Sequence, residues 1–403
     1  MTTIDPATGP DLVRTINTGE REGFNTSRHL EHAKRQAEER NYKDLLIVDV
    51  DAHHYEEESW PEIVEYIEDP VIRHRAKLGV AKNNLGSSLL FRPPANQSIS
   101  GRLQRKGMHK FEEGDEGTHR EITMVRREME AIGIDYQIVF PTPMLQLGMH
   151  PDPLVEVAVS WAYSRWFTEQ ILPHDPQIKT MIYLPFNEPE QCLRFVEQFS
   201  DKPGVVGFMV TAARYRPAHH NAYMRVYRAL EERDMPIGFH AIFHEQERMF
   251  EGMNKFLSVH ALGFIFYNLV HITNIVINGI PERFPKLKFL WIEGGLAWVP
   301  FLMQRLDNEY MMRTSEAPLL KKLPSDYMRD MFYTSQPIEN RDLGALETSM
   351  RMMNAETQLM FASDYPHWDF NLPSTIYDLP FLSDQGKRQI LGENARRVFN
   401  LDK

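Results

Sequence analysis

From residue 44 onward the chain alternates short apolar, β-rich runs with longer stretches of helical spacing. The runs are DLLIVDV (44–50), DYQIVFP (135–141), KTMIYLP (179–185), GVVGFMV (204–210), PIGFHA (236–241), LKFLWIE (287–293), DMFYTS (330–335) and LMFASD (359–364). Between them lie segments such as PLVEVAVSWAYSRWFTEQIL and NAYMRVYRALEERD, whose apolar residues recur at three- and four-residue intervals. Repeated strand–helix units predict a parallel sheet, because a parallel crossover needs a helix-length connection. Eight of them predict an α/β fold of the closed (β/α)8 TIM-barrel type. No glycine-rich phosphate loop follows any run, which argues against a dinucleotide-binding or P-loop sheet.

Two segments stand outside this rhythm. Residues 1–43 are polar, and TSRHLEHAKRQAEERNY within them has helical composition. They are expected to form an N-terminal arm, on the surface or packed on a neighbouring subunit. The barrel domain is then 44–403. Residues 54–117 follow the first strand and far exceed an ordinary βα connection. Segments after barrel strands emerge at the catalytic face, so this insertion is expected to cap the active site or to enter an interface.

Bulk properties narrow the partners. The 403 residues are 42% hydrophobic and carry a formal net charge of −11, which is unfavourable for phosphate-backbone binding. Nucleic acid is therefore not an expected partner. A lone cysteine, Cys192, excludes an internal disulfide and a cysteine-rich zinc site. The N-terminus lacks the apolar core of a secretory signal. No apolar stretch approaches the ~20 residues of a membrane span. These features point to a cytoplasmic protein.

The ends of the predicted strands carry the candidate chemistry. Strand 1 leads into VDVDAHHYE, where Asp51 and His53 stand two apart and so face one side. Strand 5 ends in His240, strand 6 in Glu293 and strand 8 in Asp364. Singly, each is an ordinary cap, turn or core residue. Together they place five ionisable groups at one end of one barrel. Imidazoles and carboxylates without thiolate suit one divalent ion, Zn²⁺ or Mn²⁺. His54 should point away from His53 and take a structural role. His244 and His367 lie close enough in sequence to reach the rim. Arg92 and Arg214 are candidates for a fork on a substrate carboxylate. Tyr365 and Trp298 are candidates for lining a substrate pocket.

Longer stretches add a family likeness. VDVDAH, EMEAIGIDYQIVFPT, FPKLKFLWIEGGLAWVPFLMQRLD, FASDYPHWD and ILGENARRVFNL resemble segments of the amidohydrolase superfamily. The likeness covers most of 44–401 and lies in the branch that holds decarboxylases of the aminocarboxymuconate-semialdehyde and γ-resorcylate type. It implies Asp51, His53 and His240 as metal ligands, with Asp364 as a further ligand and proton carrier. It implies a non-oxidative decarboxylase of a small aromatic or unsaturated carboxylic acid, assembled as a homodimer or larger homo-oligomer. The decarboxylases of that branch carry histidine where this chain has Glu293. Glu293 and His244 are therefore also candidate catalytic groups. A metal-dependent hydrolase of a C–N or C–C bond and an inactive metal-binding scaffold stay open beside the lyase.

Overall fold

The computed structural model describes residues 26–81, 114–211, 216–242, 248–367 and 369–401. Eight parallel strands lie in chain order: β1 (Val48–His54), β2 (Tyr136–Pro141), β3 (Ile178–Tyr183), β4 (Val205–Val210), β5 (Ile237–His240), β6 (Phe289–Ile292), β7 (Phe332–Thr334) and β8 (Leu359–Met360). Each pairs with the next. The chain just beyond β8 closes the ring. Val50 N donates to Phe361 O at 3.0 Å, His53 N to Tyr365 O at 2.8 Å and Asp364 N to Asp51 O at 2.7 Å. Strands such as VVGFMV are buried along their whole length, as expected when side chains fill the barrel on one face and helices cover the other.

β1 begins and ends later than the apolar pattern suggested. Residues 42–44 form a single helical turn instead, and pairing with β2 carries the strand on through His54. The register shifts between Asp49 and Ala52, which places one extra residue in β1. Such a bulge re-aims the side chains on either side of it.

The N-terminal helix α1 (Thr26–Glu39) packs on its own chain. Ala33 is buried, the His29 ring meets Phe370 at 5.7 Å, and Tyr42 just beyond meets Tyr377 at 5.6 Å. Arg40 forks onto Asp378 at 2.7 and 3.0 Å. These apolar contacts hold α1 where sequence polarity alone suggested a free surface. The insertion after β1 starts with Trp60, which is buried against the barrel. Its stretch 82–113, half of the expected cap, lies outside the described residues.

The expectation about apolar length also changes. Helix α4 (Phe256–Ile277) follows α2 (Arg120–Ile132) and α3 (Pro153–Trp166) and is, by length and composition, apolar enough to cross a membrane. Scattered polar residues concealed this in the sequence. In the fold it is the helix after β5: Val259, Phe264, Ile272, Ile275 and Val276 are buried, while Leu257, Leu262 and Val270 are exposed.

The C-terminal motif LGEN has a packing explanation. A Cβ on Gly392 would stand 2.2 Å from the Leu46 carbonyl oxygen, so only glycine lets this turn cross the chain entering β1. Asn394 donates to the carbonyls of Glu356 and Leu359 at 3.0 and 2.8 Å, which satisfies the backbone leading into β8.

Candidate metal centre

β1 presents Asp51 and His53 at the C-terminal mouth. β5 ends on His240, Glu293 follows β6, and Asp364 lies a few residues past β8. All five are buried, none more than 4% exposed. His53 Nε2 is 3.3 Å from Asp51 Oδ1 and 3.3 Å from Asp364 Oδ1. His240 Nε2 is 3.2 Å from Asp51 Oδ1. Donors held at ~2.1 Å on one ion lie roughly 3.0–3.4 Å apart, depending on octahedral or tetrahedral geometry. These three spacings fit neighbouring donors on a cation. Neither His53 ring nitrogen nor Asp51 Oδ2 has a hydrogen-bond partner among the described residues. Buried polar atoms of this kind call for a ligand. Among the described residues, single donor atoms of Asp51, His53, His240 and Glu293 lie within 4.8 Å of one another, as do those of His53, Asp364 and His367.

The electrostatics match that use. Burial, with His367 close by, pushes His53 down to about 4 despite Asp51 and Asp364, so its ring is neutral near pH 7 with a lone pair free for a cation. Burial pushes the Asp51 carboxyl up, but His240 and His53 outweigh it and hold Asp51 below the usual carboxylate range. Burial opposes charge on His240, and Asp51 overrides it, raising that ring. His240 Nδ1–H donates to Ala241 O at 2.9 Å, which turns Nε2 toward the centre.

Two carboxylates are aimed by unusual backbone. Asp364 has φ +59° and Glu293 φ +58°. Left-handed backbone is uncommon outside glycine, and such strain gathers at functional sites where the surroundings over-determine it. Around Asp364 the tether is Asp49, which accepts Ser363 N at 2.8 Å and the Ser363 hydroxyl at 2.5 Å. Ser363 Oγ in turn accepts Tyr365 N at 3.0 Å. Around Glu293, its N–H donates to Thr334 Oγ1 at 3.0 Å, and the following Gly294 and Gly295 make a tight turn. A Cβ on Gly295 (φ +71°) would lie 2.5 Å from the Glu339 carboxylate, which accepts Leu296 N at 2.9 Å.

Other candidate residues are placed differently. His367 sits beside Asp364: its Nδ1–H donates to Asp364 Oδ1 at 2.6 Å and Nε2 accepts from the Thr142 hydroxyl at 3.2 Å. Its ring stacks on His53 at 4.3 Å. It is thus a neighbour of the donor set. The Tyr365 ring is buried edge-on against Phe370 at 5.1 Å. Trp298 is buried behind the Glu293 turn, with its indole N–H on Gly295 O at 3.0 Å. His54 faces away from the centre, as expected, donating to Glu121 at 3.1 Å and accepting from the Tyr163 hydroxyl at 2.8 Å. Arg92, Arg214 and His244 lie outside the described residues. Asp49 and Thr142 were not singled out from sequence. The alternation Asp49–Asp51–His53 was a signal for the first, and the position of Thr142 directly after β2 for the second.

A closed (β/α)8 barrel with imidazoles and carboxylates converging at its C-terminal mouth defines a class of barrel proteins with a candidate single-ion centre. The family model described as Amidohydrolase matches residues 115–401, and the chain belongs to that family. The chain is similar to the gamma-resorcylate decarboxylase of Polaromonas sp. strain JS666, with 20% identity over 249 residues, 59% of this chain and 75% of that protein. Among solved structures it shares its fold with 5-carboxyvanillate decarboxylase from Sphingomonas paucimobilis. The TM-score is 0.63 at 19% identity, covering 88% of this chain and 99% of the other. It shares it also with a dihydroxybenzoic acid decarboxylase from Polaromonas sp. JS666 solved with manganese and 2-nitroresorcinol, at TM-score 0.63, 17% identity, and coverage of 89% and 98%.

Proposed function

We propose that the chain is a metal-dependent, non-oxidative decarboxylase of a small aromatic carboxylic acid. The observation that carries this reading is the buried cluster in which His53 Nε2 lies 3.3 Å from both Asp51 and Asp364, and His240 Nε2 lies 3.2 Å from Asp51. The decarboxylases among its relatives, which act on resorcylate and carboxyvanillate, support the substrate class. One divalent ion, Mn²⁺ or Zn²⁺, is the proposed cofactor, and Asp51, His53, His240 and Asp364 would hold it. Once bound, it would supply positive charge toward the substrate's acidic oxygens.

The protein's own groups do the rest. Neutral His53 and anionic Asp51 form the floor of the site. Asp364 is the proposed acid. It gives a proton to the ring carbon that bears the carboxylate, the C–C bonding pair returns to the ring, and CO₂ leaves. His367, 2.6 Å from Asp364 and bonded to Thr142, lies on the path by which a solvent proton would return. The balance is one proton in, with CO₂ and a new ring C–H out. Arg92, Arg214 and His244 keep their proposed places as substrate-facing groups. The arm (1–43), the barrel domain (44–403) and a capping role for 54–117 are proposed with them. A homodimer or larger homo-oligomer is the proposed assembly, and a single-chain mass in sedimentation would remove it. The cytoplasm is the proposed location.

The test is a substrate panel on the Mn²⁺-loaded protein: 2,6-dihydroxybenzoate, 5-carboxyvanillate and matched amides. Release of CO₂ with the C–H product is the expected result. Amide cleavage without CO₂ would replace the lyase by a hydrolase. A bound ion with no turnover of any member would favour a scaffold.

A further inference from the structure

We infer that Glu293 is itself a ligand, joining Asp51, His53 and His240 around one ion. The inference rests on the metal-centre reading above. Glu293 is 4% exposed, and its Oε2 lies 3.5 Å from His240 Nδ1. One of its oxygens falls within the same 4.8 Å group as the donors of Asp51, His53 and His240.

The backbone gives independent support. Glutamate seldom takes left-handed φ, yet Glu293 holds +58°, matching the +59° of Asp364 across the mouth. The surroundings fix this shape from both sides. Thr334 Oγ1 takes the Glu293 N–H, and a Cβ at Gly294 would lie 2.9 Å from Asn268 Nδ2. Such a turn aims a side chain. An orienting role toward His240 does not require it, because Ala241 O already takes the Nδ1–H at 2.9 Å, shorter than the 3.5 Å to Glu293. Three carboxylates in one buried cluster also repel one another, and a doubly charged ion offsets that repulsion directly.

The deciding measurement is anomalous diffraction from crystals of the full chain loaded with Mn²⁺. A Glu293 oxygen within about 2.5 Å of the ion is expected. An oxygen beyond roughly 3.5 Å would overturn the inference whatever the solution data. Chelator-competition titration of Mn²⁺ then compares the wild type with Glu293→Gln and, as a control, Asp51→Asn. Glu293→Gln should bind one Mn²⁺ per chain at least about 100-fold more weakly, a larger loss than the 10–100-fold typical of groups that touch only a ligand. Binding within threefold of wild type would also overturn the inference, yet leave the four-residue centre standing. A wild-type protein that takes up no ion would remove both.

Discussion

Replacing Asp364 by Asn isolates its proton from its shape. Asparagine tolerates left-handed backbone about as well as aspartate does. The variant keeps the +59° turn, the N–H to Asp51 O at 2.7 Å, and an amide oxygen for His367 Nδ1. What disappears is an ionisable proton and one negative donor. A positioned general acid contributes about 10²–10⁴-fold, or about 3–5 kcal/mol of barrier. Because Asp364 is 1% exposed, bulk water is poorly placed to replace its proton, so the larger part of that range is expected. The weakened cage is compensated by measuring kcat at saturating Mn²⁺, with bound metal determined on the same sample. CO₂ release from 2,6-dihydroxybenzoate, or from whichever panel member is turned over, is the readout. A kcat within threefold of wild type, at full metal occupancy, would refute Asp364 as the proton donor.

Two further predictions concern the scaffold. Gly392→Ala would drive a Cβ to 2.2 Å from Leu46 O, a backbone atom that cannot rotate away, so a loss of about 3 kcal/mol or more is expected in urea denaturation; an unchanged midpoint would contradict the close approach. Glu156, buried against Asn187 and the Tyr183 hydroxyl at 2.9 and 3.0 Å, is pushed by burial up to about 8. The native state therefore holds a proton that the unfolded chain releases near 4.5, so this stability is full below that pH and lost as pH rises to about 8. The upper bound is about 5 kcal/mol, and a measured fall of about 1–3 kcal/mol between pH 5 and 9 is expected. Glu156→Gln should flatten that slope; an unchanged slope would assign it to other groups, such as Glu56, which burial also raises to about 8.

Much of the barrel was legible because each strand is a short run of buried apolar residues, and period and length identify such runs without tertiary context. The donor set was legible for a related reason: Asp51, His53, His240, Glu293 and Asp364 are polar residues at the ends of runs that otherwise exclude them. What local pattern does not encode is which surface an amphipathic piece will choose. The polar arm of α1 looked free, yet Ala33 and Tyr42 seat it on its own barrel. Tyr365 and Trp298 looked like pocket linings because they adjoin functional strand ends, but an aromatic ring beside a tight turn serves equally well as packing behind it. Asp49 was passed over although it stands two residues before Asp51. The bulge in β1, invisible in sequence, turns it toward Ser363, where it tethers the chain carrying Asp364.

The most direct test of the account is the metal content of the purified chain beside its His240→Ala variant, by elemental mass spectrometry after incubation with Mn²⁺ and removal of free ion. One ion per wild-type chain, lost in the variant while the fold persists by circular dichroism, is the expected result. A wild-type chain that retains no ion, or a variant that retains one as well as the wild type, would contradict a cation held among Asp51, His53, His240 and Asp364.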